Sequence, residues 1–282
     1  MTSFGNQFWR TFCGIIMQTR VIHQIAKSLI LAVFAVLPSL TGAVFAQTVR
    51  QTFSDGGQLI VSEQVDGKKE ANQSEPLVDE DTKLIALSPD NNIFLAVDRK
   101  SVVFLAEVCL REGLLEFFVC SKNSKEHESI LATRAKPSLI HVGLLAMGVE
   151  PGTPVRFTPE FASATGPRVD ITLRWLDKNG KRQEAKAEEW VQETASKRQM
   201  ATHWVFAGGL FQKLEGGKNH YVADVTGEII GVSNFPSVVL DVPIDSTSDN
   251  SELLFQAFTE KIPEEGTDVT VILINNQEIK NE

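Results

Sequence analysis

Residues 101–147 read SVVFLAEVCLREGLLEFFVCSKNSKEHESILATRAKPSLIHVGLLAM. Ser101 to Leu110 is rich in β-branched and aromatic residues and reads as a strand. Alternation places Ala106, Val108 and Leu110 on one face and Glu107 and Cys109 on the other. Arg111-Glu112-Gly113 interrupts the pattern, and Leu114 to Cys120 resumes it, which predicts a β-hairpin. Leu115, Phe117 and Val119 then join the apolar face, and Glu116, Phe118 and Cys120 the more polar one. Pro137 to Met147 predicts the one strong helix: proline suits the first helical position and Gly148 the stop. Leu139, Ile140, Val142, Leu144, Leu145, Ala146 and Met147 cover nearly its whole circumference, the pattern of a buried helix.

Outward from this stretch the pattern is mostly β. Ile93 to Val97 reads as a strand before it. After it, Val169, Ile171, Leu173 and Trp175 alternate with Asp170, Thr172 and Arg174 up to the turn Asp177-Lys178-Asn179-Gly180. Further strands are expected at 182–186, 203–210, 221–225, 228–233, 238–242 and 269–274, with a short helix over 252–261. Strands outnumber helices, and the expected class is α+β, a mostly antiparallel β-sheet with one buried helix near residues 137–147. No fixed-period repeat appears, which argues against a solenoid or propeller.

The N-terminal 46 residues hold Arg10, Arg20 and Lys27 and no acid, followed by the apolar run Ser28 to Leu37, Pro38 and small residues up to Ala46. This order is that of a secretory signal peptide, residues 1–46, with the mature chain expected to begin at Gln47 in a periplasmic or extracellular compartment. A polar, charge-rich linker over 47–82, a folded domain over 83–275 and a tail over 276–282 follow. Without residues 1–46 the net charge falls from −9 to −12. Such acidity argues against nucleic-acid partners, which need clustered Lys and Arg. No later stretch reaches transmembrane length, which leaves an envelope protein as the expected partner class.

Chemical signatures are sparse. G-x-S-x-G, P-loop, H-E-x-x-H and C-x-x-C motifs are all missing, which favours a non-catalytic binding or interaction domain over the alternative of a metal- or redox-linked protein built on a His/Glu cluster, without deciding whether the protein is an enzyme or naming a ligand or cofactor. Cys109 and Cys120 remain after signal removal. A hairpin centred on Glu112-Gly113 would set them roughly 13 Å apart, beyond the ~7 Å between Cα atoms that a disulfide tolerates, so two free thiols are expected. Lys125-Glu126-His127-Glu128-Ser129 leads into the helix that carries His141. Glu126, His127, Glu128 and His141 are the candidate metal ligands, with Cys120 as an addition, and the carboxylate–histidine pairing could also serve acid–base or hydrolytic chemistry. The competing readings are a solvated turn at 125–128 and a hydrogen-bonded core histidine at 141. All four are expected to lie together at one end of the helix, with Glu126 or Glu128 as the hydrogen-bond partner of His141.

The K-E-H-E-S core, the A-K-P-S-L-I-H helix start and the L-L-A-M-G-V-E-P-G exit resemble the YdjY-domain proteins, a bacterial family. His203 to Gly209 (HWVFAGG), Ser233 to Pro236 (SNFP) and Leu240 to Pro243 (LDVP) are similar to that family as well, so the resemblance spans roughly Lys83 to Ile274. The family is bacterial and has no established activity that the resemblance could carry over. Its motif marks Glu126, His127, Glu128, Pro137 and His141 without assigning them roles. A "ferredoxin-like" label carried by some members sits poorly with a mature chain of two cysteines.

Overall fold

The computed structural model describes residues 75–88, 92–213, 217, 219–246 and 252–275. The expected signal peptide, most of the expected linker and the C-terminal tail lie outside the described residues.

The architecture is a closed β-barrel, which corrects the α+β expectation. The chain opens with β1 (Leu84–Ser88), β2 (Ile93–Ala96) and β3 (Ser101–Val108), which pair antiparallel in turn. β4 (Phe117–Ser121) and β5 (Ser129–Thr133) precede the helix α1 (Pro137–Ala146). β6 (Arg168–Leu176) and β7 (Arg182–Lys186) form the expected hairpin. Short elements follow: β8 (Val191–Glu193), β9 (Trp204–Phe206), β10 (Phe211–Lys213), β11 (Asn219–Tyr221), the single helical turn α2 (Ala223–Thr226), β12 (Glu228–Gly231), β13 (Leu240–Asp241) and β14 (Phe255–Ala257). The last strand is β15 (Asp268–Asn275). Eight of these close a ring in the order β3-β15-β6-β9-β13-β12-β4-β5, because β5 pairs back onto β3.

Closure changes what buries the apolar faces. In an open α+β sheet the helix must cover the apolar face, whereas here the strands cover one another. Val102, Phe104, Ala106 and Val108 of β3, Ile171 and Leu173 of β6, and Val269, Val271 and Leu273 of β15 share one core with Trp204 and Phe206. The interior is therefore filled by side chains, as is usual for barrels of this strand number. α1 packs at the edge of this core. A Cβ on Gly143 would come within 3.0 Å of Val102 Cγ2, so glycine lets the helix backbone approach β3. Ile140, His141 and Leu144 are buried, whereas Val142 is 42 % exposed, so the helix is not enclosed all round. Its N-terminus is capped from α2, where Asp224 Oδ1 accepts from Ser138 N–H at 2.8 Å.

Two local expectations are also corrected. β3 and β4 are not a hairpin, since β5 lies between them, antiparallel to β3 and parallel to β4. The intervening segment is held by a distant part of the chain: Leu115 N–H donates to Phe255 O, Ala257 N–H donates to Gly113 O, and Arg111 Nε donates to Ile262 O. The expected helix over 252–261 is instead β14 with turns, paired with β8 outside the barrel. Residues 75–82, part of the expected linker, pack on the barrel exterior, with Leu77 N–H donating to Thr270 Oγ1. Among the described residues no helix is long and apolar enough to cross a membrane.

Candidate functional site

The K-E-H-E-S stretch forms an unusual connection. β4 and β5 run parallel side by side, and only residues 122–128 join them. Parallel neighbours ordinarily need a crossover of a dozen or more residues. Phe117 aligns with Ser129, so these seven residues must travel about 13 Å back along the strand. The connection achieves this by folding onto β4 as a 3₁₀ turn at Glu126–Glu128. Three polar side chains hold it there. Glu126 accepts from Asn123 N–H, Ser129 Oγ donates to Lys125 O at 2.7 Å, and Ser124 Oγ donates to Ser121 O. Glu126 and Ser129 are thus explained by the turn they close.

Glu128 does more than close the turn. It pairs with Lys125 at 3.1 Å and neighbours the carboxyl of Glu116, whose own pKa is pushed up to about 7. Burial is the first cause of that rise and the neighbouring Glu128 charge the second. His127 stands outside this pair, its side chain 74 % exposed and 3.6 Å from Glu128.

The two thiols meet at the same knot. Cys109 Sγ donates to Ser129 O at 3.1 Å, and the Cys120 thiol is its neighbour. That contact and burial push the Cys109 thiol up. Neighbouring polar groups, Cys109 first, pull the Cys120 thiol down against its burial. Both cysteines are free, but the 13 Å separation expected from a hairpin does not hold, because the hairpin itself is absent.

His141 sits in a different setting. Its ring makes edge contacts with Phe206, Phe211 and Tyr221 at 5.1, 5.6 and 5.3 Å. Nδ1 lies 3.4 Å from Tyr221 Oη, which itself donates to Gly208 O at 3.1 Å. Burial lowers its pKa to about 4, so the imidazole is neutral at pH 7. The glycines of HWVFAGG make room for this plug. A Cβ on Gly208 would meet Pro151 Cβ at 2.6 Å, and one on Gly209 would meet Tyr221 Oη at 2.5 Å, both at positive φ. None of Glu126, His127 or Glu128 partners His141, whose polar contacts are Tyr221 and Gly208. Among the described residues no group of three or more His, Cys, Asp or Glu could hold a metal ion.

Sequence reasoning missed three residues that the structure makes prominent. Glu116 read as one more polar-face residue, and its raised carboxyl depends on Glu128, which only the short parallel connection brings near. Tyr221 is the one tyrosine of the chain, which could have marked it. Asp241 is fully buried, and burial pushes its pKa up to about 7. Its Oδ1 accepts from Val242 N–H at 2.8 Å and Asn234 Nδ2 at 3.3 Å, while Oδ2 has no partner. Asn234 continues the network by accepting from Ser246 N–H. SNFP and LDVP are therefore two halves of one buried polar network.

A family model of the YdjY domain matches residues 93–274, from the first residue of β2 to the penultimate residue of β15. No curated protein and no solved structure matches the chain. Matched over well more than half of its length, and over every strand of the closed barrel, the chain belongs to the YdjY-domain family.

Proposed function

We propose that this YdjY-domain chain is an exported envelope protein whose barrel acts as a binding domain, taking an extended segment of another envelope protein along the β10–β11 hairpin. Export is read from the basic, apolar and small-residue order of residues 1–46. The observation that carries the binding reading is the hairpin itself. Among the described residues β10 and β11 pair only with each other, as a two-stranded sheet outside the barrel. A two-stranded ribbon leaves backbone donors and acceptors open on both edges, the feature used when a partner strand is added. Phe211 of the hairpin and Leu210 just before it are 52 and 45 % exposed. Phe211 also rests on the His141–Tyr221 plug, so the rigid core presents it outward.

The test places a photo-crosslinking side chain at position 211 in the native host and the same group at Val97, another exposed apolar position. A single adduct of defined mass is expected at 211 and not at 97, carried by a chain that starts at Gln47, and Gln212→Pro should abolish it. Equal adducts at both positions would dismiss the hairpin as a docking edge, and a chain retaining residues 20–40 would dismiss signal cleavage.

A redox role is the second reading, favoured by the contact between Cys109 and Cys120. Oxidised glutathione would take both thiols to one disulfide, releasing two protons to two glutathione thiols. Intact-mass measurement of the folded protein should then show a loss of about 2 Da. A glutathione adduct, or no change, would remove this reading.

A further inference from the structure

Residues 75–82 lie on the barrel exterior in a manner unlike the strands around them. They join no strand, and among the described residues their only backbone–backbone bonds are local, Val78 N–H to Pro76 O and Thr82 N–H to Asp79 O. Side chains of the barrel hold them instead. Thr270 Oγ1 accepts from Leu77 N–H at 2.8 Å, and Arg182 Nη1 donates to Val78 O at 3.2 Å. Asp79 is gripped by Arg182 at 2.9 Å and Arg174 at 3.2 Å, and Asp81 by Arg99 at 2.6 Å. Val78 packs on an apolar floor that includes Ala96, Val103 and Ile272, on the outer faces of β2, β3 and β15.

This is how a groove holds a peptide: alternate recognition of backbone, one apolar anchor and two acids. The hold is reversible by its nature. The ion pairs are solvent-exposed, with Asp79 and Asp81 side chains 50 and 75 % accessible, and such pairs weaken with salt. The cover is also incomplete. A cavity of about 340 Å³ remains beside the segment, lined in part by Val78, Asp79, Arg99, Arg174 and Lys186. Four cations, Arg99, Arg174, Arg182 and Lys186, converge here in a chain of net charge −9. The family match begins at Ile93, so the segment lies outside it while the receiving strands lie inside.

We propose that the outer face of β3, β15, β6 and β7 is a receptor groove for an extended acidic segment of a partner protein, with the pattern apolar–apolar–Asp–x–Asp, and that Leu77–Asp81 fills this groove in cis. The tethered segment competes as an intramolecular ligand, at an effective concentration on the order of millimolar for a short tether. A partner segment gains access only when the resident one is displaced. This groove is separate from the β10–β11 hairpin and does not depend on it.

The experiment uses the full chain, as wild type and as the double variant Asp79→Lys with Asp81→Lys, which repels the resident segment. The probe is a fluorescent peptide of residues 75–83, EPLVDEDTK, followed by anisotropy at low ionic strength. The double variant should bind it at least about tenfold more tightly than wild type, since no tethered competitor remains. Added salt should weaken binding, a peptide with both aspartates changed to lysine should not bind, and Arg182→Glu in the double variant should abolish it. Binding that survives Arg182→Glu would place the peptide elsewhere and overturn the proposal. So would a double variant that binds no better than wild type, or one that loses its cooperative thermal transition, since the segment would then be a fixed part of the barrel.

Discussion

Trp204→Ala should destabilise the barrel by about 3–5 kcal/mol, the range for removing a buried tryptophan or phenylalanine side chain. The site explains why the effect belongs at the upper end. β9 lies in the thinly paired part of the ring: it aligns only two residues with β6 and two with β13, and β13 aligns one with β12. So little ladder leaves the seam dependent on side chains. Trp204 is fully buried, stands 5.4 Å from the Phe118 ring of β4, and donates Nε1 to Gly231 O of β12 at 2.7 Å. It thus links β9 across the interior to two strands on the other side. Alanine removes that bridge, leaves a cavity and orphans a buried carbonyl oxygen. Against a total stability of about 5–15 kcal/mol for a domain, this loss is a large fraction. Trp204→Phe keeps a ring and loses the hydrogen bond, and should cost about 1–3 kcal/mol. Equilibrium urea unfolding measures both. A Trp204→Ala loss below that of Trp204→Phe would show that the seam is held by something else.

The second large effect is one of pH. Asp241→Asn should stabilise the domain at pH 8 and leave it nearly unchanged at pH 4. The carboxyl of Asp241 has its pKa raised from 3.8 to about 7 by burial, against the opposing hydrogen bonds from Val242 and Asn234. Between those two values the unfolded chain has released the proton while the folded chain keeps it. The folded state binds more protons, so stability falls as pH rises through this window and the loss is complete above about pH 7. A shift of this size corresponds to at most about 4 kcal/mol. Asparagine keeps the shape and the Oδ1 acceptor and cannot ionise, so it escapes that loss. Oδ2 has no partner, so at pH 4 an unpaired amide N–H replaces an unpaired carboxyl O–H and the two proteins stay close. Urea midpoints of both proteins at pH 4, 6 and 8 decide it. Parallel curves would mean that Asp241 is ionised in the folded barrel or that its proton is not linked to folding.

The candidate residues divide by the reach of the interaction that defines them. Glu126 and Ser129 close a turn on neighbours three and four positions away, and a motif read locally is enough to flag them. His141 was legible as a polar group on an apolar helix that had to find a partner. Which partner it found was not, because Tyr221 lies 80 residues downstream and nothing in the helix encodes that distance. The expected carboxylate from 126–128 was the nearest polar group in sequence, and nearness in sequence proved a poor guide once the connection folded onto β4. Glu116 and Asp241 were invisible for the same reason: burial and neighbours shift a pKa, and both are properties of assembled strands.

The sequence by itself determined the strands with a clean period of two, β3, β6, β7 and β15, the start and stop of α1, and the position of the β6–β7 turn. Those signals are local, carried by alternation, by Pro137 at a helix start and by glycine where a turn needs it. Only the tertiary structure decided that the sheet closes. Closure rests on β5 slipping between β3 and β4, on Arg111 to Leu115 being captured by residues 255–262, and on a three-residue β9 completing the seam. The hydrophobic pattern of a strand says which face is buried. It does not say against what, and a strand turned inward on a barrel carries the same alternation as one covered by a helix.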